Sequence, residues 1–244
     1  MSKPKGDGYV LGFAAVICLT CSVLLAVSES VLKPFKEKNV ANDKRFNVLK
    51  ALGAEVLTAD GSRIPPEKVN ELYSAFVGEM VLDGATGKPL EGVLPGTLDP
   101  EEISARKKLP LYIRKDEAGN PMKFAFPVSG KGLWSTIYGY LALEKDLATI
   151  AGATFYKHGE TPGLGGEVEA DWFQKNFAGK KTFKDGARTK FTVVKGTVAD
   201  KFPDGNDHAV DGMSGATITG DGVAKFINAD LDRYETYFRD IRGK

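Results

Sequence analysis

The chain has 244 residues, room for one large domain or two small ones with a real core. Its 33 basic and 32 acidic residues leave a net charge of +1, so no chain-wide field favours nucleic acid or another polyanion. The two cysteines, Cys18 and Cys21, both lie inside an apolar run, so the polar remainder has neither a disulfide framework nor a thiolate metal site.

After a short N-terminal tail (1–8), "YVLGFAAVICLTCSVLLAV" from Tyr9 to Val27 carries no charge over about the 20 residues that a bilayer-spanning helix needs. We read 9–28 as a single transmembrane anchor. A cleaved signal peptide is the rival, with Lys3 and Lys5 as its basic start and Ala26 to Ser28 as a small-residue site, but signal cores usually run about 7 to 15 residues. Lys33, Lys36, Lys38, Lys44 and Arg45 outnumber the N-terminal lysines, so a literal positive-inside count keeps the following domain in the cytoplasm; a long translocated domain overrides such a count. Cys18 and Cys21, nearly one helical turn apart, read as small packing residues.

Residues 29–106 read as a helical stalk followed by a variable excursion. Val40, Phe46, Leu49 and Leu52 give Val31 to Leu52 an apolar stripe, Pro34 bends it, and Gly53 stops it. Helical spacing returns from Glu67 to Leu82, until "DGATG" breaks it, and Gly, Pro and acidic residues dominate to 106.

From 107 to 244 the pattern is that of an α+β domain, an antiparallel or mixed sheet with flanking helices. "LPLYIRK" and "KFAFPV" form a hairpin through "DEAGNP", and "GLWSTIYGYLALEKD" and "TIAGATFYKHG" add two more strands. "ETPGLGGE" turns into a short helix over Val168 to Phe177, "RTKFTVVKGTV" is a further strand, and a last helix runs from about Asp221 to Phe238.

The usual catalytic signatures are missing. No nucleotide-binding glycine motif follows a strand, and His158 and His208 belong to no closely spaced ligand set, so they read as surface or loop histidines and no metal site is expected. Ser214 sits between glycines, but the full nucleophile elbow is absent, which leaves a serine hydrolase as a weak rival. "DGMSGATITGDGV", Asp211 to Val223, places glycines and hydroxyls just ahead of a helix. Glycine permits close approach of backbone to a ligand, and the free amides at a helix start favour an anion such as phosphate. Thr217 falls mid-loop, with Thr219 or Asp221 as the helix cap; an ordinary capped turn fits the same residues.

Three blocks in order, "GKGLWSTIYGYLAL", "KHGETPGLGGEV" and "DGMSGAT", resemble the FMN-binding domains of bacterial redox-driven ion pumps. "ETPGLGGEV" and the long excursion resemble above all the C-subunit family of Na+-translocating NADH:quinone oxidoreductases, with the G subunits of Rnf complexes as next of kin. The resemblance covers nearly the whole chain except 54–106. It implies FMN held covalently by a phosphoester at Thr217, with Ser214, Gly215 and Ala216 shaping the loop and Asp211 serving the flavin transferase near its magnesium. It further implies that Glu160, Thr161, Gly163, Leu164 and Gly165 line the isoalloxazine; Trp134 either stacks near the ring or fills the core. The function it implies is an electron relay between an iron–sulfur centre in membrane partners and another flavin subunit, on the periplasmic side of the inner membrane. A membrane-anchored, non-catalytic assembly module is the rival from a different class.

Overall fold

The structure is a computed structural model that describes residues 6–184 and 186–242, so Lys3 and Lys5 of the expected tail lie outside it. Two compact units are distinguished, Met1–Lys44 and Arg45–Lys244. Helix α1 (Asp7–Ala51) supplies the first unit and continues unbroken through Pro34. It is long and apolar enough to cross a membrane, with a mean hydropathy of 2.7 over its best 18-residue window, none of which is buried by protein. Its exposed Leu, Val and Phe side chains are what a lipid phase would cover.

The second unit is built on a five-stranded meander. Its α1 portion buries Phe46, Val48, Leu49 and Ala51 and stops where the sequence expects, at Gly53. Gly53 has φ +72°; its amide donates to the Lys50 carbonyl and that of Ala54 to the Leu49 carbonyl, which satisfies the last carbonyls of the helix. Helix α2 (Pro66–Phe76) follows with Pro at its first position. The helical spacing expected to reach Leu82 ends at Phe76, because Val77–Asp83 form strand β1, paired residue by residue with β2 (Lys108–Lys115) from Val77↔Arg114 to Asp83↔Lys108. Short apolar runs carry both periods, and here the ladder supplied by distant sequence decides. Between them lies α3 (Pro100–Ser104), capped by Asp99, whose side chain accepts from the Glu101 amide.

Strands β3 (Pro121–Lys131), β4 (Thr136–Glu144) and β5 (Ile150–Lys157) complete the sheet in the order β1-β2-β3-β4-β5, antiparallel throughout. The expected hairpin over "DEAGNP" is present. The expected helix over Val168–Phe177 is divided into a 3-10 turn at Gly165–Glu169 and α4 (Asp171–Lys175). Short segments follow: β6 (Phe183–Lys184), β7 (Ala187–Arg188), β8 (Thr192–Val193), α5 (Val198–Lys201) and β9 (Ala209–Val210). The long strand expected in "RTKFTVVKGTV" is therefore broken: Arg188 ends β7, and Thr192–Val193 form β8, which pairs in parallel with β9. Helix α6 (Thr217–Arg242) closes the chain.

Because side chains alternate across a sheet, each face gathers its own core. Leu111, Phe124, Phe126, Leu141 and Leu143 face α6, while Tyr112, Ala125, Tyr140 and Ala142 face the end of α1 and α2. Phe126 stacks on Tyr234 of α6 at 4.3 Å between ring centroids, and the Tyr234 hydroxyl donates to the Pro110 carbonyl at 2.6 Å. Asp230, 1% exposed, accepts from the Ser129 amide, Arg106 and Arg233 at 3.0, 3.1 and 2.6 Å. These contacts set the register of α6 on β3 and thereby carry its first turn to the β3–β4 turn.

Candidate functional site

Helix α6 begins four residues before the expected Asp221, so Thr217 is its first residue and not the middle of a loop. The first intrahelical bond runs from the Gly220 amide to the Ala216 carbonyl, which makes Ala216 the residue before the helix. Ala216 has no side chain with which to cap, so the amides of Thr217, Ile218 and Thr219 open the helix as donors toward an anion. Thr219 and Asp221 are not the cap. Thr219 is 1% exposed and its hydroxyl donates to Glu160 Oε2 at 2.8 Å.

Glu160, 5% exposed, ties three segments together. Its Oε1 accepts from the Trp134 and Ser135 amides, both at 3.0 Å, and from the Ser135 hydroxyl at 3.3 Å; its Oε2 accepts from the Leu133 amide at 3.2 Å and from Thr219. Burial opposes ionisation of this carboxyl, but the amides of Ser135, Trp134 and Leu133 and the Thr219 hydroxyl outweigh it and hold the pKa below its ordinary value. A strand turn, a loop and a helix are thus fastened at one carboxylate. Ser135 Oγ adds a fourth tie by accepting from the Gly159 amide at 2.6 Å. With its oxygens so occupied, Glu160 holds the frame of the site, a role that its place beside a flavin signature did not reveal.

The surface carried by this frame is apolar. Trp134 is 69% exposed and Ile218 60%, and Leu133 and Leu164 are also exposed. The expectation that Trp134 fills the core is therefore excluded, since its ring lies outside while its amide is held by Glu160. Leu164 lies against Gly215: a Cβ on that glycine would come within 2.7 Å of Leu164 Cδ2, and its φ of +71° favours glycine as well. Gly165 is equally restricted, since a Cβ there would sit 2.7 Å from Thr219 Oγ1 and 2.8 Å from Glu160 Oε2. Thr161 and Gly163 are exposed at the loop tip, and Ser214 and Thr217 are exposed at the start of α6. The carboxylate of Asp211 is partly buried and accepts from the Val198 amide at 2.6 Å, which ties the "DGMSGAT" loop to the start of α5.

The hydrolase rival loses its base in this arrangement. His158 Nδ1 accepts from the Glu160 amide and His208 Nδ1 pairs with the Lys181 carbonyl, so both imidazoles are engaged away from Ser214. What the site offers instead is a threonine hydroxyl at the donor end of a long helix, on a frame that also carries exposed aromatic and aliphatic side chains. These residues fit a phosphate ester of a flat, largely apolar group such as FMN.

Comparison with known proteins agrees. The family described as "FMN-binding domain" matches residues 132–232, which include all eleven expected site residues. The C subunit of the Na+-translocating NADH-quinone reductase of Haemophilus ducreyi is 36% identical over 231 residues, covering 87% of this chain and 85% of the relative. The chain belongs to that C-subunit family. The family's member from Pseudomonas aeruginosa is 33% identical, with 99% of this chain and 98% of the relative covered. Crystal structures of family members are similar as well. That from Parabacteroides distasonis has a TM-score of 0.71 at 30% identity, covering 84% of this chain and 96% of its own. NqrC from Shewanella oneidensis has a TM-score of 0.70 at 28% identity, covering 83% and 98%. Membership in the NqrC family accounts for the block order read in the sequence and for the antiparallel sheet with flanking helices.

Sequence reasoning missed Leu133 and Ile218, and gave Thr219 the wrong part. Leu133 acts through its backbone amide, which leaves no residue-type signature. A start of α6 at Thr217 puts Thr219 two residues on, about 200° round the helix and so on the face opposite exposed Thr217, turned into the domain.

Proposed function

We propose that this family member is an electron-relay subunit of a Na+-translocating NADH:quinone oxidoreductase and carries FMN through a phosphoester at Thr217. The observation that carries the reading is the place of Thr217: exposed, first in α6, immediately after "DGMSGA", on a helix start that Glu160 ties to the turn and loop bearing exposed Leu133, Trp134 and Leu164. When bound, FMN supplies the redox chemistry. The chain's own residues attach, orient and shelter it. The opening amides of α6 favour the phosphate. The apolar side chains offer surface to the isoalloxazine, and Glu160 keeps the three segments that bear them at fixed spacing. Thr161, Gly163 and Gly165 give that surface its tight turn, and Ser214 and Gly215 leave the approach to Thr217 open.

In this reading electrons come from an iron–sulfur centre in membrane partner subunits and leave to another flavin subunit, with the domain on the periplasmic side of the inner membrane and α1 as a single-pass anchor. Asp211 serves the flavin transferase during maturation. The names of the relatives support a sodium pump over an Rnf-type complex. The test is the intact mass of the protein purified from its own membranes, followed by mapping of the peptide that contains Thr217. An added FMN phosphoester on that peptide is expected. An unmodified peptide, from cells shown to contain an active flavin transferase, overturns the proposal and favours the assembly module.

A further inference from the structure

Behind the Glu160 segment lies a cleft of about 550 Å³, lined among others by Phe46 and Lys50 of α1, Gln174 of α4, and His158. The His158 side chain is 10% exposed. Its Nδ1 lies 3.2 Å from the Glu160 amide nitrogen and accepts its hydrogen bond, an arrangement open to a neutral ring with hydrogen on Nε2. Nε2 is buried with no hydrogen-bond partner among the described residues, and 3.4 Å away is Glu169 Oε2.

The two ring states therefore have opposed preferences. The neutral ring accepts the Glu160 amide. A protonated ring carries hydrogen on both nitrogens, cannot accept that amide, and is attracted to Glu169. The other charged or titratable groups around the cleft are Glu160 and Glu167 on the same segment, the paired Lys50 of α1 and Asp171 of α4, Arg63 after the first loop, and Tyr156 of β5. The carboxylates outnumber the cations, and Glu169 stands nearest the ring.

We propose that His158 is a positioning residue and a protonation-dependent latch for the flavin-bearing frame. Neutral, it holds the Glu160 backbone so that the Glu160 carboxylate joins the Leu133–Ser135 turn to Thr219. Protonated, it releases the Glu160 amide while Nε2 stays beside Glu169. The consequence for flavin rests on the function proposed above; the latch does not require flavin.

The experiment is nuclear magnetic resonance on the flavin-free full-length chain in detergent micelles, following the His158 ring and the Glu160 amide together against pH. The Glu160 amide shift is expected to follow the ring's titration. In His158→Asn the side-chain oxygen replaces Nδ1 as acceptor, so Glu160 stays protected from exchange and its shift stops following pH. In His158→Gln the acceptor reaches the Nε2 position instead, and Glu160 protection falls about tenfold even when the wild-type ring is neutral, as expected for one lost hydrogen bond. A Glu160 amide indifferent to the ring, or equal behaviour of the two variants, overturns the latch. On flavin-loaded protein the midpoint potential is expected to show the same pH step in the wild type and not in His158→Asn. A titrating amide with an invariant potential overturns the role toward flavin. A Thr217 peptide without flavin would sink the functional reading while the amide measurement still decides the latch.

Discussion

Replacing Glu160 by Gln tests whether one carboxylate holds the site together. Five donors converge on it: three amides, the Ser135 hydroxyl and the Thr219 hydroxyl. If the glutamine oxygen takes the Oε1 position, the amide group at the other position faces two donors. Thr219 rotates and becomes an acceptor, but the Leu133 amide loses its partner, at about 1–3 kcal/mol for an unsatisfied buried donor. The bonds that remain lose their charge assistance, each roughly halved in strength. Contributions in one network are not additive, so we expect a total near 2–4 kcal/mol, measured by urea unfolding of the full-length chain in micelles, followed by tryptophan fluorescence. The effect carries a pH signature. Because the folded pKa of Glu160 is depressed below its ordinary value of 4.5, its stabilisation is fully present above that value and is lost as pH falls through the folded pKa. The gap between wild type and Glu160→Gln should therefore narrow from pH 7 to pH 3. A loss under about 0.5 kcal/mol, the range of ordinary surface changes, or an equal loss at both pH values, would refute the reasoning.

Four further outcomes follow from the same geometry. Thr217→Val should abolish flavin fluorescence in a denaturing gel while changing stability by less than about 0.5 kcal/mol, since the side chain is exposed. Thr219→Val should keep the flavin but lose about 1 kcal/mol in the same unfolding assay, because it removes one donor from a buried carboxylate. Gly165→Ala should destabilise by about 1–3 kcal/mol and lower the thermal midpoint, since its methyl would press on both Thr219 Oγ1 and Glu160 Oε2. Trp134→Ala should leave the fold intact by circular dichroism and alter the fluorescence of bound flavin, since the indole lies outside the core.

Much of the fold was legible where the signal is local. The apolar span needs only length and composition, and it falls within α1. Gly53 stops α1, and the alternating strands form the meander, because turn chemistry and period-two burial are written in neighbouring residues. Legibility failed where local signals tie. The run from Val77 to Leu82 has spacing for either helix or strand, and pairing with residues about 30 positions away settles it as β1. "RTKFTVVKGTV" is rich in strand formers, yet only two of its residues find a partner in β9.

The candidate site divides along the same line. The sequence by itself determined the glycine-rich stretch ahead of α6, the threonine proposed to hold FMN being read within it, and the block order, because motifs are contiguous. Only the tertiary structure decided what Glu160 does, since its five donors come from residues 25 to 59 positions away and three of them are backbone amides, whose presence no residue type announces. It also decided that Trp134 faces outward and that α6 opens at Thr217. The seat of α6 on the sheet is likewise tertiary: Asp230 accepts from the Ser129 amide of β3 and the Tyr234 hydroxyl donates to the Pro110 carbonyl of β2, contacts that span more than a hundred residues of chain.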